Sequence, residues 1–287
     1  MIEQVIIKEA VKKVVSNLDN LNKPIEGKTN YDVNIGKNVG KNIDNNLLNK
    51  PIEQLEKTEN KRDFDEHINT LADKSSSLED KMKSLNYLAD NTDLNNPNVF
   101  DNMPENVRNA VKERISIKYC GETGEDGWSN IPRENGTWAG EPGNSKFMPD
   151  RDYIPKGKTE YDNPENKTNG QILDENNIDG IQYKDGEPVF DNCAEFTTKI
   201  EKSDITDSIK EEIASGNREG LHEALFEKMA KEKGITIEEA KQFKESNNLV
   251  WHETADGRAQ LVPRELHLLS HNGGISTINI LIKNGLV

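Results

Sequence analysis

Three histidines near the C-terminal end of the chain have the residue type and the spacing needed to bind a metal ion. His252, His267 and His271 occur in the segment NNLVWHETADGRAQLVPRELHLLSHNGGIS. On a helix, His267 and His271 would project from one face and form a bidentate clamp for a transition metal. A third imidazole on a facing strand can stay neutral at physiological pH and accept a proton from water. Together they predict hydrolysis assisted by a divalent metal ion.

A strand, a tight turn and a second strand are predicted to position His252. Residues 249–253 and 259–263 have the composition of two short strands. Asp256-Gly257 between them is a strong signal for a hairpin turn. We expect His252 to lie on the first strand, facing the element that follows the hairpin.

A helix is predicted to follow the hairpin and to carry the other two histidines. Pro263 would open this helix, because proline is tolerated at the first helical position, where its missing N–H would have no partner. Asn272-Gly273-Gly274 would end it. The order strand, turn, strand, helix is a ββα unit.

These residues also carry a resemblance to a known family. The pattern W-H-E…D-G-R-x-Q-L-V-P-x-x-L-H-x-x-x-H-x-G-G resembles the HNH/endonuclease VII superfamily of bacterial nuclease toxins, in the branch with three histidines. The upstream segments NGTWAGEPGNSKFMPD and NIDGIQYKDGEPVF are similar to such proteins too, so the resemblance covers roughly residues 119–280. It implies an α+β fold ending in a ββα-metal (His-Me finger) nuclease unit, and a DNase toxin.

The resemblance also implies cofactors and partners. We expect one divalent metal ion (Mg, Zn, Ni or Mn), a DNA substrate, a cognate immunity protein and a secretion or delivery apparatus. The protein would then act in the cytoplasm of a target cell. Its first residues make a poor signal peptide, and no stretch approaches the roughly 20 apolar residues of a membrane span.

The roles of individual site residues stay open between two hypotheses. In the favoured one, His252 is the general base, and His267 with His271 binds the metal. In the competing one, His252 is a third metal ligand and Glu253 is the base or an orienting group. Arg258 and Arg264 are candidates for contact with phosphate. The family pattern often has a second histidine where this chain has Glu253, and this departure keeps both hypotheses open.

Taken over the whole chain, the net charge of −15 opposes binding of nucleic acid. The acidity lies upstream, however, because from Lys231 onward seven basic and seven acidic side chains sum to zero. A divalent metal would add positive charge where phosphate binds. Cys120 and Cys193 are too few for a disulfide framework or a four-cysteine zinc site.

Three regions are predicted along the chain: a helical, partly disordered leader or tether (1–118), an accessory part rich in glycine, proline and aromatic residues (119–205), and the nuclease domain (206–287). The leader contains an amphipathic pattern at 2–18, the repeat LNKPIE at 21–26 and 48–53, and helices near 77–88 and 105–119. Residues 170–177 predict one helical turn. Three further helices begin after Thr206, and Thr236 with Glu239 forms a capping box on the third. His222, on the second, is interpreted as structural or exposed.

Two other functions fit the same residues. The ββα unit could hold a structural zinc ion in a binding module without enzymatic activity. The same metal chemistry could also cleave RNA instead of DNA.

Overall fold

The computed structural model describes residues 52–287 except 95, 97, 120–127, 158, 160, 161, 270 and 272, with side chains from residue 62 onward. The predicted helix at 2–18 and the first copy of the repeat lie outside the described residues. Residues Thr58–Val287 form one compact unit. Among the described helices, none is both long and apolar enough to cross a membrane.

Three helices begin the described part of the chain: α1 (Ile52–Ala72), α2 (Leu78–Asn91) and α3 (Glu105–Lys118). The hydroxyl of Ser77 accepts a hydrogen bond from the backbone N–H of Asp80 and so caps α2. The predicted helices near 77–88 and 105–119 are confirmed. Helices α2 and α3 bury apolar side chains in the same core as the C-terminal segment, including Met82, Leu85, Val107, Ile278 and Leu281.

The middle of the chain folds into a small antiparallel sheet with the strand order β1-β2-β3-β4. Its strands are β1 (Gly136–Trp138), β2 (Lys146–Pro149), β3 (Ile181–Lys184) and β4 (Glu187–Pro188), and helix α4 (Asn169–Glu175) precedes β3. The predicted helical turn at 170–177 and the short strands among turns are confirmed. This sheet and α4 share a second apolar cluster that also contains Leu266 and Leu269 from the histidine-bearing segment.

Strand β5 (Phe196–Lys199) leads into α5 (Asp207–Ala214), α6 (Glu219–Lys233) and α7 (Ile237–Ser246). Gly234 ends α6 with a left-handed backbone (φ 67°), a conformation that glycine adopts without steric cost. The capping box of Thr236 and Glu239 begins α7. The three helices predicted after Thr206 are therefore confirmed, although the proposed boundaries at 118 and 205 stay a prediction.

The predicted hairpin is present as β6 (Leu249–Glu253) and β7 (Arg258–Pro263), and β7 lies between β5 and β6 in a three-stranded antiparallel sheet. Alternation along β6 separates its side chains by face. Trp251 packs on one face against Phe226, with ring centroids 5.6 Å apart. His252 packs on the other face, edge-on against Phe190 at 5.1 Å.

The helix of the ββα unit lies later than predicted. Pro263 is the last residue of β7, a short 3₁₀ helix covers Leu266–Leu268, and α8 runs from Gly274 to Lys283. The prediction that Pro263 opens a helix carrying both histidines is therefore wrong, and so is the prediction that the Gly-Gly pair ends it. His267 belongs to the 3₁₀ helix, and His271 lies in the connection to α8.

The helix forms later because apolar side chains recur at helical spacing after the glycines. Ile278 and Leu281 occur at helical spacing and are buried in the core, so the stable amphipathic helix forms beyond Gly273. A Cβ atom on Gly274 would lie 2.1 Å from the carbonyl oxygen of Thr254, so glycine allows α8 to approach the hairpin turn. The order β, β, α is kept, and the predicted α+β fold is confirmed.

Candidate metal centre

The structure brings the three predicted histidines together. The Nδ1 atom of His252 lies 3.2 Å from the Nε2 atom of His267, and the ring centroids of His267 and His271 are 4.7 Å apart. One nitrogen from each ring lies within 4.8 Å of the other two. Three imidazole nitrogens at this spacing are typical of ligands that surround a single metal ion.

Secondary contacts fix how the rings present their nitrogens. The Nδ1 atom of His271 lies 2.7 Å from the carbonyl oxygen of Leu269, so this nitrogen donates its proton and the Nε2 lone pair is left for a metal. The Nε2 atom of His252 is buried and has no hydrogen-bond partner among the described residues. The ring of Phe190 packs edge-on against the ring of His252. The contact with Leu269 therefore orients the ring of His271.

The electrostatics keep all three imidazoles neutral. Burial lowers the pKa of His252 well below its ordinary value, and its two neighbouring histidines lower it further. Burial and His271 lower the pKa of His267 to about 3. Burial also lowers the pKa of His271. Because a metal ligand must have a free lone pair, neutral imidazoles at physiological pH are ready for a divalent ion.

Glu253 lies beside this cluster and is almost fully buried, with 3% of its side chain exposed. Its Oε2 atom accepts a hydrogen bond from Nη1 of Arg218 at 3.0 Å, and its Oε1 atom lies 3.0 Å from Nε2 of His222. Burial by itself raises the pKa of Glu253, but the contacts with His222 and Arg218 outweigh it and leave the pKa lowered. The carboxylate is thus ionised and paired on both oxygens.

Sequence reasoning did not find Arg218 and set His222 aside. Neither residue is close in sequence to the motif: Arg218 precedes α6 and His222 lies in its first turns. The signal that could have found them is the buried carboxylate of Glu253, which follows His252 on a strand and needs a cationic partner. The sequence alone does not say which of the upstream cations supplies it.

An open cleft of 570 Å³ leads to the histidines; we call it the histidine cleft. Besides the three rings and Glu253, its walls carry three cationic side chains, Lys156, Arg218 and Arg264. Arg264 is held by the side chain of Asn248, which accepts from its Nε at 3.0 Å, and it lies 3.7 Å from Asp162. The predicted phosphate contact Arg264 is therefore in the same cleft as the predicted ligands.

Arg258 lies elsewhere. Its guanidinium contacts the carboxylates of Asp256 and Asp191 at 2.9 Å and 2.7 Å. It lines a separate cavity beside the hairpin turn, together with Asp90 and Arg114. The structure does not bring Arg258 into the histidine cleft.

The donor set fits a divalent transition metal. Three neutral imidazoles match Zn²⁺, Ni²⁺ or a related ion better than Mg²⁺, which prefers oxygen ligands. Among the described residues no fourth histidine, cysteine or carboxylate joins the group. Three protein ligands facing a cleft leave a coordination position for water or substrate, as in catalytic sites.

Comparison with known proteins agrees with this geometry. Residues 180–273 match the family model of the DNase/tRNase domain of colicin-like bacteriocin. The matched segment extends from the middle sheet to the residue that precedes α8, and it includes all three histidines. No curated protein and no solved structure matches the chain. The family match supports a nuclease toxin domain in this part of the chain.

Proposed function

We propose that this chain is a metal-dependent endonuclease of the HNH/endonuclease VII superfamily that acts as an antibacterial toxin on DNA. The observation that carries the proposal is the cluster of His252, His267 and His271 at the base of a cleft with cationic walls. A site for phosphodiester hydrolysis needs a metal position, access for a polyanion and groups that neutralise phosphate. The histidine cleft supplies all three.

We assign His252 to the metal, as a third ligand beside His267 and His271. The grouping of one nitrogen from each of the three rings within 4.8 Å of the other two favours this role over that of a separate base, because all three could reach one ion. A divalent ion held there would polarise a phosphate oxygen and lower the pKa of a bound water molecule. This assignment reverses the role that the sequence favoured for His252 and takes up the competing one.

Glu253 then acts as a positioning residue. Its carboxylate is ionised and accepts hydrogen bonds from two sides, so it is a weak base. The same hydrogen bond holds the side chain of Arg218 in place. Arg218 has 44% of its side chain exposed and lines the cleft, where its guanidinium can contact a phosphate oxygen. Arg264, which directly follows β7, would contact the same polyanion.

A structural zinc module is the less well supported alternative. Structural zinc sites are closed by four protein ligands, whereas this cluster offers three and faces an open cleft. RNA is an alternative substrate with its own support, since the matched family includes tRNases by its description. An immunity protein in the producing cell and a delivery apparatus belong to the same proposal.

The test is cleavage of plasmid DNA and of a folded RNA by the full chain with Mg²⁺, Mn²⁺, Ni²⁺ or Zn²⁺, and with EDTA. We expect cleavage with at least one metal, none with EDTA, and loss of cleavage in His267→Ala. The matched control is His67→Gln, which changes a histidine on α1 that contacts Ser84 and lies outside the cleft. No cleavage of either polymer with any metal, combined with unfolding on metal removal, would support the structural-zinc alternative instead.

A further inference from the structure

A second cavity adjoins the histidine cleft and has no role in the proposed chemistry. It has a volume of 380 Å³ and lies against the middle sheet region; we call it the side groove. Its walls include Arg133, Tyr153 and Lys156. Lys156, Leu268 and Leu269 line both cavities, so the side groove continues directly from the site of the three histidines.

The residues that line both cavities are held close to the three histidines. Leu269 packs in the apolar cluster of the middle region, and its carbonyl oxygen is the partner of His271. The side chain of Asn130, which lines the histidine cleft, donates a hydrogen bond to the carbonyl oxygen of His271. The segment that carries His267 and His271 therefore also lines the route from the side groove to the histidines.

The charge of the path suits a polyanion better than the chain as a whole does. The two cavities together are lined by four cationic side chains and three carboxylates: Arg133, Lys156, Arg218 and Arg264 against Glu134, Asp162 and Glu253. Two of the carboxylates already contact an arginine, Glu253 with Arg218 and Asp162 with Arg264. Lys156 is exposed, and no carboxylate contacts it among the described residues.

Tyr153 adds an aromatic surface at the groove. It is 36% exposed, and among the described residues its ring stacks on no other ring and its hydroxyl has no hydrogen-bond partner. Its backbone is held firmly, because its N–H donates to the carbonyl oxygen of Asp150 and its own carbonyl accepts from Asn169. An exposed aromatic ring that lines the same groove as a lysine suits stacking on an unpaired base.

We propose that the side groove binds an unpaired stretch of polynucleotide next to the phosphate that enters the histidine cleft, with a base stacked on Tyr153 and a phosphate on Lys156. This inference rests on the proposed function and names the form of its substrate, a single strand. A base inside an intact duplex is already stacked on both sides and cannot use Tyr153.

The experiment measures binding without cleavage, so that its outcome is independent of catalysis. Fluorescence anisotropy is followed for a labelled 12-nucleotide DNA strand, the RNA of the same sequence and the DNA duplex, with the full chain in EDTA. We expect Tyr153→Ala to weaken binding of the single strands on the order of tenfold. Tyr153→Phe should bind normally, because stacking needs the ring and not the hydroxyl. Duplex binding should be the same in wild type and Tyr153→Ala.

Lys156→Gln tests the phosphate contact. We expect it to weaken binding and to reduce the slope of log affinity against log salt concentration by about 0.7, the share of one phosphate contact on a single strand. The matched controls are Ile154→Ala and Lys74→Gln. Ile154 is as exposed as Tyr153 but does not line the groove, and Lys74 is an exposed lysine on the loop between α1 and α2.

Several outcomes would overturn the inference: no binding of either single strand by the wild type, unchanged binding in Tyr153→Ala, or an equal loss in the control variants. Absence of cleavage with any metal, together with the expected binding pattern, would refute the proposed nuclease but leave the strand-binding groove in place. If the protein cleaves but its single-strand binding is unchanged in Tyr153→Ala and Lys156→Gln, the proposed nuclease is supported and the strand-binding groove is refuted.

Discussion

The Nδ1 atom of His252 lies 3.2 Å from the Nε2 atom of His267, although the hairpin turn and strand β7 separate the two residues along the chain. His271 completes the group from the connection to α8. The Nε2 atom of His252 is buried without a hydrogen-bond partner among the described residues, and burial of an unpartnered polar nitrogen costs free energy. The metal ion that we propose would account for the convergence of the three rings.

The first prediction concerns metal binding. His252→Ala, His267→Ala and His271→Ala should each weaken the binding of Zn²⁺ or Ni²⁺ by at least about 100-fold, more than the 10–100-fold typical of residues that only orient a ligand. Isothermal titration calorimetry of the metal-free protein measures this directly. His67→Gln serves as the control. If His252→Ala binds metal like the wild type, His252 is not a ligand, and the base role regains support.

The second prediction concerns pH. The pKa of His267 is lowered to about 3 in the folded protein, whereas an unfolded histidine titrates near 6.5. Between these values the unfolded chain binds more protons, so the stability of the metal-free protein should fall as the pH drops below about 6.5. One such histidine contributes a slope of at most roughly 1.4 kcal/mol per pH unit.

Urea unfolding of the metal-free protein at pH 7.5 and pH 5 would measure this change. His267→Gln, which cannot be protonated, should show a smaller difference between the two pH values. Lys74→Gln should keep the full difference. An identical pH dependence in His267→Gln and wild type would contradict the lowered pKa.

The third prediction separates the two roles of Glu253. If Glu253 positions Arg218, then Glu253→Gln and Arg218→Ala should each reduce kcat by about tenfold or more, and the double variant should lose little further activity. If Glu253 is instead the general base, Glu253→Gln should remove the acidic limb of the pH–rate profile, and Arg218→Ala should leave that limb in place. Steady-state cleavage of a labelled oligonucleotide across pH gives both readouts.

The fourth prediction tests the close contact between α8 and the hairpin. Gly274→Ala should destabilise the fold by roughly 1–3 kcal/mol, because its Cβ would clash with the backbone of Thr254. Gly273→Ala is the matched control, since a Cβ there meets no atom within 4 Å. Urea unfolding of both variants gives the comparison. Equal stabilities would mean that the turn can move away from α8 at little cost.

Local patterns in the sequence were enough to predict most elements near the site. The strand at 249–253, the Asp256-Gly257 turn and the capping box at Thr236 each depend on residues within a few positions, and all are present in the structure. The membership of His252, His267 and His271 in one group also followed from the sequence, through the spacing and the family resemblance.

The local form of the histidine segment was predicted wrongly. The four-residue spacing of His267 and His271 suggested a helix, but the rings converge from a 3₁₀ turn and a loop. Local spacing cannot distinguish these cases, because the segment is held by contacts from far along the chain. Leu266 and Leu269 pack against the middle region, and Gly274 lets α8 approach Thr254.

The sequence by itself thus determined which residue types are available for chemistry and which short elements present them, since those depend on neighbours along the chain. Only the tertiary structure decided their partners. Glu253 is paired with Arg218 and His222 because α6 packs behind β6, and Arg258 is held outside the cleft by Asp191. Buried charge must find a partner in space, and no periodicity along the chain encodes which distant residue that will be.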